Sequence, residues 1–161
     1  SLSRLVPYKR VDLVIDAFAE LGWPLVVAGD GRARAQLEAK APPNVRFAGR
    51  VPDAELPALL AGARALVYAG VEDFGISLVE AMAAGTPVVA LDAGGARDSV
   101  EVERSGVLFA EATVPSLVAA LRRAAAIEWD RTAVAASAER FGERRFAREI
   151  GALAATLTSA R

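Results

Sequence analysis

The sequence of 161 residues contains neither cysteine nor histidine. The lack of cysteine excludes disulfides, thiolate catalysis and metal sites built on cysteine. The lack of histidine removes the usual general base and the commonest metal ligand. Any site on this chain must therefore be built from other groups.

Long apolar runs are also missing, since no stretch approaches the roughly 20 residues that a membrane span needs, and no signal peptide is visible. The net charge of −1 leaves no electrostatic footprint for nucleic acid or an anionic membrane surface. We therefore expect a cytoplasmic protein without a nucleic-acid partner. The length suits a single domain, residues 1–161, and the start at Ser1, within a predicted strand, suggests a piece of a longer protein.

Short β-branched runs alternate along the chain with longer amphipathic stretches. The runs predict strands over residues 2–6, 24–28, 45–48, 65–69, 87–91 and 106–109. The stretches predict helices over residues 11–21, 33–40, 54–62 with Asp53 as N-cap, 77–84, 114–126, 131–141 and 144–157. This alternation predicts an α/β fold, a doubly wound, Rossmann-like parallel sheet of about six strands with helices on both faces.

In such a sheet, ligands bind at the carboxyl ends of the strands, in the loops that lead into the helices. The loops in question span residues 7–10, 29–32, 49–53, 70–77 and 92–99. Two of them contain glycine turns, 29–31 and 93–96, which are weak signals because neither forms a P-loop or a GxGxxG fingerprint. We expect a site to draw on several of these loops at once.

The segment 72–80 carries the sharpest pattern, with Glu72 in a loop, Gly75 at a helix start and Glu80 on the first turns of that helix. Free N–H groups at a helix start bind anions, whereas carboxylates accept hydrogen bonds from hydroxyls. The combination suits a ligand with phosphates in the middle and hydroxyl-rich sugars at both ends. The alternative is an acidic capping loop with Glu80 on a solvated helix face.

Two cations lie near the first predicted strand and helix, Arg4 at the strand end and Lys9 just before the helix. Cations so placed can hold a diphosphate and stabilise it as a leaving group. The alternative is a pair of ordinary surface cations.

These segments, in this order, resemble the C-terminal, donor-binding domain of family 4 glycosyltransferases with the GT-B fold. The resemblance covers nearly the whole chain, and Glu72 and Glu80 match the paired-glutamate (E-x7-E) motif of the family. The segments that carry the resemblance are Ser3-Arg4-Leu5 with Lys9, then 26–31, 45–49, 72–89 and 105–109.

The resemblance implies a role for each matching residue. Arg4 and Lys9 would hold the donor diphosphate, and Glu72 would bind hydroxyls of the transferred sugar. Glu80 would bind the ribose hydroxyls. The backbone of Phe74, Gly75 and Ile76 would contact the sugar and the phosphate. Val51 and Asp53 would lie beside the base.

The resemblance also implies a retaining transferase that needs no metal or cofactor, its donor being a nucleotide sugar. Segments 8–12, 94–96, 99–100 and 106–107 look like the mannosyltransferases that build bacterial polysaccharides and glycolipids, so GDP-mannose is favoured over a UDP-sugar. The sequence departs from that subgroup at Ala93 and at Arg97-Asp98.

The implied partner is an N-terminal GT-B domain of the same full-length chain, which would hold the acceptor and make any peripheral membrane contact. The isolated domain would then fold without transferring sugar. The alternative function is a non-catalytic, regulatory domain that binds nucleotide sugars. A second Rossmann-like domain in the complete gene would favour the transferase.

Overall fold

The computed structural model describes residues 1–159. Its strands are β1 (Leu25–Ala28), β2 (Val45–Gly49), β3 (Leu66–Tyr68), β4 (Val88–Leu91) and β5 (Gly106–Phe109). Its helices are α1 (Val11–Leu21), α2 (Arg34–Lys40), α3 (Leu56–Ala61), α4 (Ile76–Ala83), α5 (Ala96–Ser99), α6 (Val114–Ala126), α7 (Arg131–Ala138) and α8 (Glu143–Ser159). Short 3₁₀ turns lie at Pro7–Lys9 and Glu139–Phe141.

All strand pairs are parallel, as the alternation of strands and helices predicts. The strands form two groups, a pair in the order β1-β2 and a trio in the order β3-β4-β5. Val27 pairs with Phe47 in the first group, and Val89 pairs with Val107 in the second. Within the described residues, no ladder joins β1 to β3.

Helices cover both faces of the trio, because successive strand side chains point to opposite sides. On one face, Val67, Val89 and Val107 join an apolar cluster that includes residues of α1 and α6. On the other face, Tyr68, Val88 and Ala90 join a cluster that includes residues of α3, α4 and α7. The prediction of helices on both faces is confirmed for these strands.

The predicted strand over residues 2–6 is wrong. Leu2 makes a single parallel bridge with Ala28, and the segment leaves the ladder where the Val6 N–H donates to the carbonyl of Arg4 at 3.0 Å. This local turn replaces further pairing, so the described chain has five strands where about six were predicted.

Helices α1 and α6 have the predicted bounds, but Asp53 is not an N-cap. The N–H of Glu55 donates to the carbonyl of Pro52 at 2.9 Å, so Asp53 lies in a turn. Helix α3 begins only at Leu56, and Glu55 occupies the cap position without a side-chain bond.

The short helix α5 lies within the predicted loop 92–99. None of the described helices is long and apolar enough to cross a membrane.

Candidate functional site

A cleft of about 660 Å³ opens at the carboxyl ends of β1 and β3. Loops that are distant in sequence line it, as expected for a parallel sheet. The cleft brings together all of the site residues predicted from the sequence: Arg4, Lys9, Val51, Asp53, Glu72, Phe74, Gly75, Ile76 and Glu80.

Lys9, Glu72 and Tyr68 form a small polar cluster on one wall. The Lys9 ammonium pairs with Oε1 of Glu72, and the Tyr68 hydroxyl donates to the same oxygen at 2.7 Å. The Lys9 ammonium also lies 5.6 Å from the centre of the Tyr68 ring. Desolvation lowers the pKa of Lys9, and it is the main cause that raises the pKa of Tyr68. Within the described chain, Oε2 of Glu72 has no partner and remains available to a ligand hydroxyl.

Arg4 is exposed and lines the cleft, and no hydrogen bond or ion pair within residues 1–159 engages its guanidinium. Its position depends on how closely its segment approaches the end of β1. The N–H of Ser3 donates to Ala28 at 3.1 Å and that of Leu5 donates to Asp30 at 2.9 Å. A Cβ at Gly29 would collide with the carbonyl of Ser3, so glycine there permits the contact.

The start of α4 faces the cleft. Gly75 occupies the N-cap at φ 81°, and it provides no side chain to satisfy the first N–H groups of the helix. The N–H of Leu78 donates to the carbonyl of Gly75 at 2.9 Å, whereas those of Ile76 and Ser77 have no intrahelical acceptor and can receive an anion. Phe74 packs edge-on against Phe141, with ring centres 5.5 Å apart, and Ile76 is 65% exposed. The start of α4 is therefore uncapped rather than closed by an acidic side chain.

The turn at Gly94 and Gly95 supports this loop from behind. The N–H of Gly95 donates to the carbonyl of Glu72 at 2.7 Å. A Cβ at Gly95 would lie 2.5 Å from the carbonyl oxygen of Asp73 and 2.6 Å from that of Phe74. The glycine pattern of this turn is only a weak signal in the sequence, but in the structure the turn contacts and supports the loop that contains Glu72 and Phe74.

Glu80 and Asp53 approach each other across the cleft. The pKa of Glu80 is raised, mainly by desolvation and secondarily by the negative charge of Asp53. Glu80 lies on an exposed turn of α4 and also lines the cleft. Its side chain is therefore both solvated and within reach of a ligand in the cleft.

Sequence reasoning missed other residues of the cleft, namely Asp30, Arg50, Tyr68, Asp73 and Ser77. Tyr68 matters most because it holds Glu72. Tyr68 falls within the predicted strand over residues 65–69, and the available signal is its position at the end of β3, four residues before Glu72.

Residues 1–144 match the family described as glycosyl transferases group 1. The chain belongs to this family. Its fold corresponds to the C-terminal half of the GT-B architecture: it aligns with HepE from Anabaena, solved in complex with UDP-glucose, at a TM-score of 0.75 and 28% identity, covering 98% of this chain and 47% of that one.

Curated relatives differ in the sugar that their names give. A GDP-mannose-dependent alpha-mannosyltransferase of Mycolicibacterium smegmatis is 39% identical over 109 residues, covering 67% of this chain and 29% of its own length. The D-rhamnosyltransferase WbpZ of Pseudomonas aeruginosa is 32% identical over 146 residues, covering 86% of this chain and 38% of its own length. The chain thus spans well under half the length of these relatives.

Proposed function

We propose that this chain is the donor-binding half of a retaining glycosyltransferase that moves a hexose, with mannose from GDP-mannose favoured, to a glycan or glycolipid acceptor. The observation that carries this is the cleft itself, in which separated cations, an uncapped helix start and two carboxylates meet. The cations and helix N–H groups suit a diphosphate, and the carboxylates suit the hydroxyls of the sugars on either side of it.

The diphosphate lies between Arg4 and the start of α4 in this proposal. Arg4 has no competing partner among the described residues, and its fork of donors suits phosphate oxygens. Lys9 already forms an ion pair with Glu72, so a donor phosphate must either share the Lys9 ammonium with Glu72 or displace Glu72 from it. Charge that builds on the departing diphosphate is then offset by both cations and by the helix N–H groups.

The transferred sugar lies against Glu72. Lys9 and Tyr68 both hold Oε1, which orients the carboxylate and leaves Oε2 for a sugar hydroxyl. The exposed Phe74 and Ile76 flank this position with apolar surface and with their backbone N–H groups. The carboxylate is therefore ordered before the donor arrives, which lowers the entropic cost of binding.

The nucleoside occupies the far end of the cleft, with the ribose hydroxyls at Glu80 and the base beside Val51 and Asp53. A carboxylate at the base favours guanine, because the Watson–Crick edge of guanine presents neighbouring N–H donors whereas uracil presents one. The mannosyltransferase relative supports GDP, and the UDP-glucose complex of HepE keeps a UDP-sugar as the competing donor.

The acceptor site belongs to an N-terminal domain of the complete protein in this proposal. The alignment with HepE supports this, because it covers 98% of this chain but only 47% of the HepE chain. The isolated chain should therefore bind donor without transferring sugar, and adding an acceptor should not change that.

Calorimetry of the isolated chain with GDP, UDP and ADP tests the proposal. We expect GDP to bind most tightly, and Arg4→Ala or Glu80→Ala to weaken its binding roughly ten- to hundredfold, because each removes charged hydrogen bonds of about 1.5–3 kcal/mol. Arg122→Ala and Glu128→Ala are matched controls, since both residues are exposed outside the cleft.

The donor site is wrong if no diphosphate binds at millimolar concentration, or if the cleft variants bind like the controls. Tighter binding of UDP would keep the site and overturn only the choice of GDP. Loss of the preference for GDP in Asp53→Asn would assign that preference to Asp53.

A further inference from the structure

The 3₁₀ turn Glu139–Phe141, which links α7 to α8, contacts the loop 72–75 of the donor cleft. The Phe141 ring packs edge-on against the Phe74 ring, with centres 5.5 Å apart and ring planes at 78°. Phe74 lines the cleft and is 46% exposed, whereas Phe141 is half-buried and does not line it. Phe141 therefore contacts a wall of the cleft from outside the cleft.

Arg140 holds the Phe141 ring from a second direction. The carbon of its guanidinium lies 4.5 Å from the centre of that ring, within the range of a cation–π attraction. The same guanidinium donates to the carbonyls of Asp98 at 2.6 Å and of Ser99 at 3.0 Å. These carbonyls lie at the end of α5, and bonds from a charged donor are stronger than neutral ones. Arg140 thus joins the Phe141 ring to α5.

Helix α5 in turn holds the backbone of the loop 72–75. Gly95, directly before α5, donates its N–H to the carbonyl of Glu72 at 2.7 Å. At the other end of α5, the Ser99 hydroxyl donates to the carbonyl of Phe74 over a longer distance of 3.4 Å. The loop is therefore held at the Glu72 carbonyl, at the Phe74 carbonyl and at the Phe74 ring.

The same loop presents the groups that the proposed function assigns to the donor. It carries the Glu72 carboxylate, and it leads into the first N–H groups of α4 at Ile76 and Ser77. Gly75 lies between them at φ 81°, and glycine leaves the backbone more conformational freedom than any other residue. A loop of this kind loses entropy when it is ordered by a ligand, so contacts that order it beforehand increase affinity.

We infer, on the basis of the proposed function, that Phe141 is a positioning residue for the nucleoside diphosphate and that Arg140 keeps it in place. Neither residue lines the cleft, so both act through others, Phe141 through the Phe74 ring and Arg140 through α5. Together they keep the loop 72–75 in the conformation that offers Glu72 and the start of α4 to the donor.

The main test is Phe141→Leu, which keeps an apolar side chain and removes the aromatic pair. Two amides report the result: that of Gly95, bonded to Glu72, and that of Val88, bonded to Ser105 in the core. We expect exchange at Gly95 to accelerate about fivefold or more, and exchange at Val88 to change less than about twofold. By calorimetry, the affinity for GDP, or for UDP if the parent chain prefers it, should fall about three- to tenfold.

Three further variants show how Phe141 acts. Phe146→Leu is the matched control, because it makes the same substitution at a phenylalanine that is 64% exposed on α8, and it should match the parent chain. In a Phe74→Leu background, Phe141→Leu should cause no further change, since the two rings act as a pair. Arg140→Ala, which removes the bonds to α5, should also accelerate exchange at Gly95.

Equal acceleration at Gly95 and Val88 would overturn the inference, because Phe141 would then only support the global fold. Parent-like exchange at Gly95, or parent-like nucleotide affinity, in Phe141→Leu would overturn it as well. So would a full additional loss in the Phe74→Leu background, since Phe141 would then act elsewhere. A parent chain that binds no nucleoside diphosphate would overturn the proposed function instead, and faster exchange at Gly95 would still identify Phe141 as the residue that holds the loop.

Discussion

At the scale of single residues, the charge of Glu80 depends on its burial and on the neighbouring Asp53. Its pKa is raised by desolvation and by Asp53, and ribose hydroxyls donate to the ionised form. We therefore expect nucleoside diphosphate affinity to increase as pH rises through this raised pKa. Asp53→Asn removes the repelling charge and should move the increase to lower pH, as calorimetry between about pH 4 and 7 would measure.

Glu80→Gln is the control for titration of the nucleotide itself, since it shares every other group with the parent chain. Subtracting its pH profile isolates the contribution of Glu80. If the difference between the two profiles is flat, Glu80 does not contact the ribose. If Asp53→Asn leaves the midpoint unchanged, the two carboxylates do not interact in the unliganded chain.

At the scale of elements, the loop 72–75 is held by the neighbouring turn at Gly94 and Gly95 as well as by its own side chains. Gly95→Ala introduces a Cβ that meets the backbone carbonyls of Asp73 and Phe74 at 2.5 and 2.6 Å. Because neither carbonyl can rotate away like a side chain, we expect the loop to shift, at a cost of about 1–3 kcal/mol in the free energy of unfolding. GDP binding should weaken about tenfold, measured by calorimetry on the folded variant.

Gly151→Ala is the matched control, since it lies within α8 and nothing lies within 4 Å of an added Cβ. It should leave GDP binding unchanged and raise stability by up to about 1 kcal/mol. Parent-like binding by Gly95→Ala would show that the loop does not depend on the turn.

Sequence reasoning succeeded for the elements that carry a long periodic pattern and failed where a local turn decides the outcome. The bounds of α1 and α6 follow from helical periodicity and clear end signals. Arg4, Glu72 and Glu80 meet in one cleft at the carboxyl ends of β1 and β3, where a parallel sheet is expected to bind its ligand. The turns at residues 4–6 and 52–55, and the bond from Tyr68 to Glu72, each close within five residues, so they depend on local geometry that strand and helix periodicity does not encode.

At the scale of the whole molecule, the two groups of strands share a core but meet across an apolar groove, with the Ser1 amino group at its edge. In the isolated chain, burial lowers the pKa of this amino group from 8.0 to about 5. Between those values the unfolded chain binds more protons than the folded chain, so the free energy of unfolding rises with pH. One proton gives at most about 1.4 kcal/mol per pH unit, and because Ser1 is only half-buried we expect about 1–2 kcal/mol in total.

Acetylation of the Ser1 amino group isolates this effect, because it removes the titrating charge and leaves all other groups in place. Urea unfolding of the acetylated and free chains at about pH 5 and 8 should show a stability difference that is larger at the lower pH and nearly vanishes at the higher one. A difference that does not change with pH would mean that the amino group stays hydrated in the folded chain. The gap between β1 and β3 would then be open to water at Ser1, and the ladder from Ser1 to β1 would be weaker than its 2.8 Å bonds indicate.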